Sequence, residues 1–564
     1  MKPFNFLKQI SPATALALFL PIALLIPNVW LNCTEHYTLL SSISNIVTPL
    51  GIYLLIVGCS TRIGRSTLLC IPLMIYAAFQ IVLMFLYGEN IIAIDMFLNV
   101  ATTNFGEATR LLGSLPMAIL TVCAIYLPLI ISAIVFCKRS IRLDRAIMLR
   151  FRHIGAPLLI IGVMLCGSCE LTDTNYHAER QLFPINVIYN TGMAVKRGVA
   201  TSHFKETSAD FRFNSVDTHP SGTREIYVLV IGETSRADNW QLMGYDRPTN
   251  PRLSARDNLV VYPKAVTQSN TTHKSVPLIL SAATVENFDS AIYTHKGICS
   301  AFNEAGYHTA FISNQARNHS FIDYLGQEAH DVTFITDDGM EHSDMMLLPL
   351  VKQQLQQNTG KTFIVLHTYG NHFCYRDRYP RDHAFFTPDD NTDAERYNRA
   401  QLLNAYDNSI RETDMMLDSI ISLLEQAKCP AAMLFLSDHG EDIFDDDRNR
   451  FLHASPVPTY YQIHVPMLLW LSPQYVSAYP EPTSAAHAHT SCDVASNDVA
   501  LPTMLSLAGL RCDSVDYSRA LSSTSYFDRP RIYLNDYNEA IPLAKSGLRK
   551  CDLQQLTNHH ISNF

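Results

Sequence analysis

The chain has 564 residues, 48% of them hydrophobic, thirteen cysteines and a net charge of −9 at pH 7. That length is too great for one ordinary domain. The apolar residues crowd into the first 170 positions, which excludes a uniformly soluble protein, and the acidic balance excludes nucleic acid as a partner.

Five nearly charge-free segments come first, at residues 10–30, 42–59, 68–87, 115–136 and 154–169. Each is long enough, or almost so, to cross a bilayer as a helix. The last is the shortest. The first has no small-residue cleavage site and four further segments follow it, so it reads as a retained span and not a signal peptide. Of eleven Lys and Arg residues among the first 170, ten fall at the amino terminus (Lys2, Lys8), in the second loop (Arg62, Arg65) and in the fourth (Lys138, Arg139, Arg142, Arg145, Arg150, Arg152), and only Arg110 lies opposite. By the positive-inside rule the basic side is cytoplasmic, which places everything after the fifth span outside. The first 170 residues carry +5 and the rest −14. Cys33, Cys169, Cys299, Cys374, Cys429, Cys492, Cys512 and Cys551 lie on that oxidising side, where disulfides form but their pairing is not legible.

Residues 171–223 read as a connector containing an amphipathic piece at 182–189. From 224 onward, apolar runs at 226–231, 308–313, 362–366, 432–436 and 467–471 alternate with helical patterns, among them 395–426 and 501–510. Strands alternating with helices predict an α/β domain, a mainly parallel sheet covered on both faces. The polar stretch 481–498 reads as a surface loop.

Two of these strands end in metal-ligand residue types: Tyr227-Val-Leu-Val-Ile-Gly-Glu233 and Leu434-Phe-Leu-Ser-Asp438-His439-Gly-Glu441. Ligand crevices of open α/β sheets lie at the carboxyl ends of strands, so Glu233, Asp438 and His439 meet there if both strands share one sheet. Two carboxylates and an imidazole suit Zn²⁺ and leave a position for a reacting oxygen, the frame of a metallohydrolase or phosphoryl transferase. Gly440 is expected to permit a tight turn. The hydroxyl-rich Gln268-Ser-Asn-Thr271-Thr272-His-Lys-Ser275-Val-Pro277 leads into an expected helix start at Pro277, where a phosphate can rest. A metal makes such a hydroxyl a nucleophile, and spacing does not choose between Thr271 and Thr272. His367 and His372, and His453, belong on the same sheet edge, where they can bind phosphate, donate a proton or hold a second metal.

Taken together, Gly232-Glu-Thr-Ser-Arg-Ala-Asp238, Gly244-Tyr-Asp-Arg-Pro-Thr-Asn-Pro-Arg252, Thr272-x-x-Ser-Val-Pro277, Ser313-Asn-Gln315, Gly370-Asn-His372, Ser437-Asp-His-Gly-Glu441 and Leu452-His453, behind five spans, resemble the bacterial phosphoethanolamine transferases of the alkaline phosphatase/sulfatase superfamily. The resemblance covers nearly the whole chain. It implies a transmembrane domain at 1–170 with an outer loop at about 88–114, a connector or bridging helix at 171–223, and a periplasmic sulfatase-like domain at 224–564. It implies zinc held by Glu233, Thr272, Asp438 and His439 with Thr272 as nucleophile, His372 and His453 on the transferred phosphate or a second zinc, and His367 on substrate. Asn99, Thr103 and Glu107, spaced i, i+4, i+8 on one helix face, would bind the phosphoethanolamine head group.

The implied protein is a multi-pass bacterial inner-membrane enzyme, amino terminus cytoplasmic, with one or two zinc ions, a phosphatidylethanolamine donor and a lipid A or envelope glycan acceptor. A monomer is the expectation. The rival readings are a phosphoglycerol transferase of the same superfamily, which the head-group face disfavours; a sulfatase, which carries a modified Cys or Ser in place of Thr272; and a non-catalytic membrane scaffold. Members of the family often have a cysteine flanking the nucleophile loop. This chain has none there, so no disulfide scheme carries over.

Overall fold

A computed structural model describes residues 10–35, 37–88, 90–102, 109, 111–113, 115–173, 176–391, 393–562 and 564. Two compact units divide the chain: one of Met1–Phe97, Thr109–Val195 and Arg448–Arg450, the other of Leu98–Ala108, Lys196–Asp447 and Phe451–Phe564. The division at Val195 falls within the stretch read as a connector. No disulfide joins cysteines among the described residues.

The first unit is helical: α1 (Pro12–Thr34), α2 (Leu39–Gly58), α3 (Ile63–Leu69), α4 (Ile71–Tyr87), α5 (Ile94–Thr102), α6 (Pro116–Lys138), α7 (Arg145–Thr172), α8 (Ala178–Gln181) and α9 (Ile185–Ser202), which runs on into the second unit. Four of them are long and apolar enough to cross a membrane, and α3 with α4, bent by 52° at their break, pass the same test together as a pair. The expected third span is therefore broken at Cys70. The expected fifth, the shortest by hydropathy, belongs to the longest helix, 28 residues. Its first two turns carry Arg145, Arg150 and Arg152, which hide the helix from a hydropathy reading; Asp144 caps it by accepting from the amides of Ala146 and Ile147.

Small residues set how α2 and α7 meet. A Cβ on Gly51 would lie 2.6 Å from the Leu159 amide, and one on Gly162 2.6 Å from Thr48 Oγ1. Gly58 and Gly155 likewise face α7 and α2 backbone at 2.8 and 3.0 Å. Each helix thus presents glycines seven residues apart, and the backbones approach where lipid offers no hydrophobic drive to association.

The second unit holds a seven-stranded sheet of β1 (Ile226–Gly232), β2 (Leu259–Val261), β3 (His308–Ser313), β4 (Asp331–Phe334), β5 (Thr362–His367), β6 (Ala431–Ser437) and β7 (Met467–Leu471), in the order β2-β7-β6-β1-β5-β3-β4. The β6-β1-β5-β3-β4 run is parallel, whereas β7 is antiparallel to both β6 and β2. Every residue of β1, β5 and β6 is buried, which is why these strands read as continuous apolar runs and not as alternations. Register aligns Gly232 with Ser437 and Ile231 with His367. The residues that follow therefore emerge side by side.

Two sequence expectations change. Residues 481–498 are not a loop. With α10 spanning Thr272–Leu280 and α11 the long Arg399–Gln426, they form a helix over Pro480–Ala488, a strand Val494–Ala495 paired with Ala265–Val266, and the start of α12 (Ser496–Leu507). Pro480 at the first helical turn and inward-facing Ala485 and Ala486 supply the missing signal. The helix expected to start near Pro277 starts instead at Thr272, with Pro277 inside it.

Gly162→Leu places a side chain where the Thr48 backbone stands. An overpacking loss of roughly 1–3 kcal/mol is expected, read as a lower thermal midpoint of the detergent-solubilised chain; an unchanged midpoint would contradict the close helix contact.

Candidate active site

Glu233 leaves β1, and the next residue, Thr234, turns the chain with φ +59°. The loop after β5 clamps this corner: the Asn371 amide donates to the Glu233 carbonyl at 3.0 Å, and a Cβ on Gly370, whose φ is +54°, would meet that carbonyl at 2.6 Å. Asp344 holds the loop in turn, accepting from the amides of Tyr369 and Gly370. Asp438 and His439 leave β6 beside Glu233. Gly440 is needed here for close approach, because its Cβ would lie 2.8 Å from Arg236 Cβ, and not for a left-handed backbone.

Thr272 begins α10, with Thr271 at its N-cap. The structure separates the two hydroxyls. Thr271 is buried and lies 3.2 Å from Ser269 Oγ. Thr272 Oγ1 lies 3.0 Å from His439 Nε2 and 3.3 Å from each Glu233 oxygen. His439 Nε2 is 3.2 Å from Asp438 Oδ2 and 3.5 Å from Glu233 Oε1.

Hydrogen bonding fixes the His439 tautomer. Its Nδ1 lies 3.0 Å from the Gly440 carbonyl, which only accepts, so Nδ1 carries the proton and Nε2 presents a lone pair. Asp438 Oδ1 accepts from the amides of Thr234 and His439 at 3.1 and 2.7 Å, while its Oδ2 is buried with no hydrogen-bond partner. Two lone-pair groups therefore face each other out of water, an arrangement that requires a cation or a proton between them. Burial, and next the charge of Glu233, push the Asp438 carboxyl well above its ordinary range. Glu233 itself is held by Thr234 Oγ1 at 2.6 Å and Gln315 Nε2 at 2.9 Å.

These separations fit a zinc ion. A tetrahedron with bonds of about 2.0–2.1 Å sets its corners roughly 3.3 Å apart, and Glu233, Thr272, Asp438 and His439 stand 3.0 to 3.5 Å from one another in the contacts above. Ligand atoms of Glu233, His439 and His453 also lie within 4.8 Å of one another. His453 therefore stands beside the expected ligands.

The remaining expected residues are placed as follows. The His453 ring centroid is 4.1 Å from that of His439 and 6.0 Å from that of His372; burial and the neighbouring imidazoles push its pKa well down. His372 Nδ1 donates to the Phe373 carbonyl at 2.8 Å. His367 is only 1% exposed, with Nδ1 3.3 Å from Ser313 Oγ, and burial lowers its pKa to about 4. It sits beneath the site as a neutral ring. Asn99 lies in α5, while Thr103 and Glu107 lie outside the described residues.

Sequence reasoning gave no role to Glu441 or Gln315. Glu441 is fully buried with Oε2 3.5 Å from His453 Nδ1, and burial pushes its carboxyl well up. Its place two residues after His439 was a usable signal. Gln315 comes from the loop after β3 and Asp344 from the start of a short 3₁₀ helix, Asp344–Met346, and their convergence is purely tertiary.

The profile of the Sulfatase family matches residues 225–510. The chain belongs to that family. It is 31% identical over 296 residues to phosphoethanolamine transferase EptA of Escherichia coli K12, covering 51% of this chain and 54% of that protein; the chain thus spans about half the length of that relative. The C-terminal periplasmic domain of EcEptC from Escherichia coli, solved in complex with Zn, is 26% identical and superposes with a TM-score of 0.54 over 60% of this chain and 98% of that one. The integral membrane lipooligosaccharide phosphoethanolamine transferase A of Neisseria meningitidis shares the fold over 92% of this chain and 99% of that chain, at a TM-score of 0.71 and 20% identity.

With its carboxyl pushed up by burial and by Glu233, Asp438 would give up a proton on binding zinc. Affinity for zinc is expected to rise with pH by up to about tenfold per unit until the raised Asp438 pKa is passed. Asp438→Asn should bind zinc more weakly and lose most of that slope. Calorimetric titration at several pH values checks this, and an unaltered slope in the variant would contradict it.

Proposed function

We propose that the protein transfers phosphoethanolamine from phosphatidylethanolamine to lipid A or another envelope glycan, through a phosphoethanolamine-threonine intermediate on Thr272. The observation that carries the reading is Thr272 Oγ1 at 3.0 Å from His439 Nε2 and 3.3 Å from Glu233, at the corner of a zinc-spaced cluster. Relatives named as phosphoethanolamine transferases support the transferred group.

Glu233, Asp438, His439 and Thr272 would hold the zinc, with His453 beside them. When bound, the ion lowers the cost of an alkoxide at Thr272 and screens charge on the phosphate. Thr272 Oγ1 attacks phosphorus in line, the bond to the diacylglycerol oxygen breaks, and diacylglycerol leaves with a proton. An oxygen of the acceptor then attacks the same phosphorus and Thr272 recovers its proton. His372 and His453 hold non-bridging oxygens in both steps. His439 keeps its proton on Nδ1, tied to the Gly440 carbonyl, so Nε2 serves as a ligand and not as a base. His367 lies under the floor of the site, and Asn99, Thr103 and Glu107 are proposed to receive the ethanolamine ammonium.

Both the donor and lipid A are membrane lipids. Five spans in the bacterial inner membrane would confine a periplasmic catalytic domain to the surface where both are concentrated.

Mass spectrometry of envelope lipids from cells expressing the wild type should show acceptor species heavier by one phosphoethanolamine. Thr272→Ala should lower that product at least roughly a thousandfold while the variant still accumulates in the membrane. Equal modification in both would exclude Thr272 as nucleophile; a transferred glycerol phosphate would replace phosphoethanolamine as the group.

A further inference from the structure

The first unit contains a groove that the proposed chemistry does not use. It runs between α1 and α6, encloses about 620 Å³, and is walled by apolar side chains including Leu16, Phe19, Ile125, Leu129 and Phe136. Small residues open it: Ala15 and Ala23 on α1 face Ala124 and Ser132 on α6. At its closed side Tyr126 donates to the Ala23 carbonyl at 3.2 Å, pinning the two helices together. Phe19 and Ile22 stand 62% and 59% exposed along its lip.

Its dimensions and ends identify an occupant. The lined stretch of α1 runs from Pro12 to Ile26, roughly 21 Å at 1.5 Å per residue. One leaflet's hydrocarbon is about 15 Å deep, half of a core of about 30 Å, so an acyl chain fits lengthwise. One end is lined by Pro12 and Phe136, close to where α6 finishes at Lys138 and Arg139 follows. Both cations are exposed, and neither has a carboxylate partner among the described residues. Apolar walls with cations at one end complement an anionic amphiphile whose head lies at the basic end.

We propose that this groove is a retained binding site for an anionic phospholipid of the leaflet on the basic side, with an acyl chain between α1 and α6 and its phosphate against Lys138 and Arg139. The site is separate from the proposed donor site, because by charge this end is cytoplasmic whereas the donor is consumed on the opposite face. The proposal does not depend on the transferase reading.

Native mass spectrometry of the delipidated full-length protein, titrated with phosphatidylglycerol or phosphatidylethanolamine of identical acyl chains, tests it. The wild type is expected to hold one phosphatidylglycerol roughly tenfold more tightly than phosphatidylethanolamine. The double variant Ala124→Phe/Ser132→Phe, which fills the groove from its lip, should lose that single high-affinity lipid. Lys138→Gln/Arg139→Gln leaves the groove intact and should keep a bound lipid but lose the preference for phosphatidylglycerol. Equal affinity for both lipids in the wild type, or unchanged binding in the filled variant, would overturn the proposal. So would a dimer that the filled variant abolishes, which would assign the groove to a second copy of the chain.

Discussion

Two lone pairs, on Asp438 Oδ2 and His439 Nε2, face each other across 3.2 Å in a place from which water is excluded. Without a cation, only a proton held by the raised Asp438 carboxyl or the Thr272 hydroxyl, 3.0 Å from Nε2, can meet them. The Nδ1 proton of His439 is committed to the Gly440 carbonyl, and Asp438 Oδ1 is already saturated by two amides. The surrounding fold serves to hold this unfavourable pair in place. Buried parallel strands end in register, a loop packs its glycine against Glu233, and Arg236 braces the turn after His439 by donating to the Glu441 carbonyl at 3.3 Å. Such preorganisation is costly without a cation and favourable with one, the pattern expected where local strain serves function.

The same geometry explains why a threonine, ordinarily unreactive, is placed at the first position of a helix. The helix end directs unpaired amides and a partial positive charge toward that hydroxyl, and the sheet brings Glu233 and His439 to it from the other side. The helix termini and the strand ends supply different things, position from one and charge from the other. The membrane unit uses a separate logic: close backbone contact through glycine between α2 and α7, and an open apolar seam between α1 and α6.

Much of this was legible from sequence because the central strands are buried on both faces. Continuous apolar runs ending in Glu233 and in Asp438-His439 announced both the sheet and the edge where chemistry belongs. What escaped has identifiable physical causes. The antiparallel direction of β7 leaves no trace in composition. The helix at Pro480–Ala488 is polar on its outer face and was hidden by Ser, Thr and His. Thr271 and Thr272 differ only in which way a helix N-terminus turns them, which no spacing rule reveals. The place of Glu441 beside His453, and the proximity of His453 to His439, arise from a loop that folds back through the short antiparallel pairing of Asp442–Ile443 with Phe451–Leu452.

Anomalous diffraction at the zinc edge from crystals of the full-length protein grown with zinc tests directly whether a cation sits between the side chains of Glu233, Thr272, Asp438 and His439. A strong peak is expected within about 2.0–2.2 Å of oxygen or nitrogen atoms of all four. A zinc peak elsewhere with none between those four side chains would contradict it.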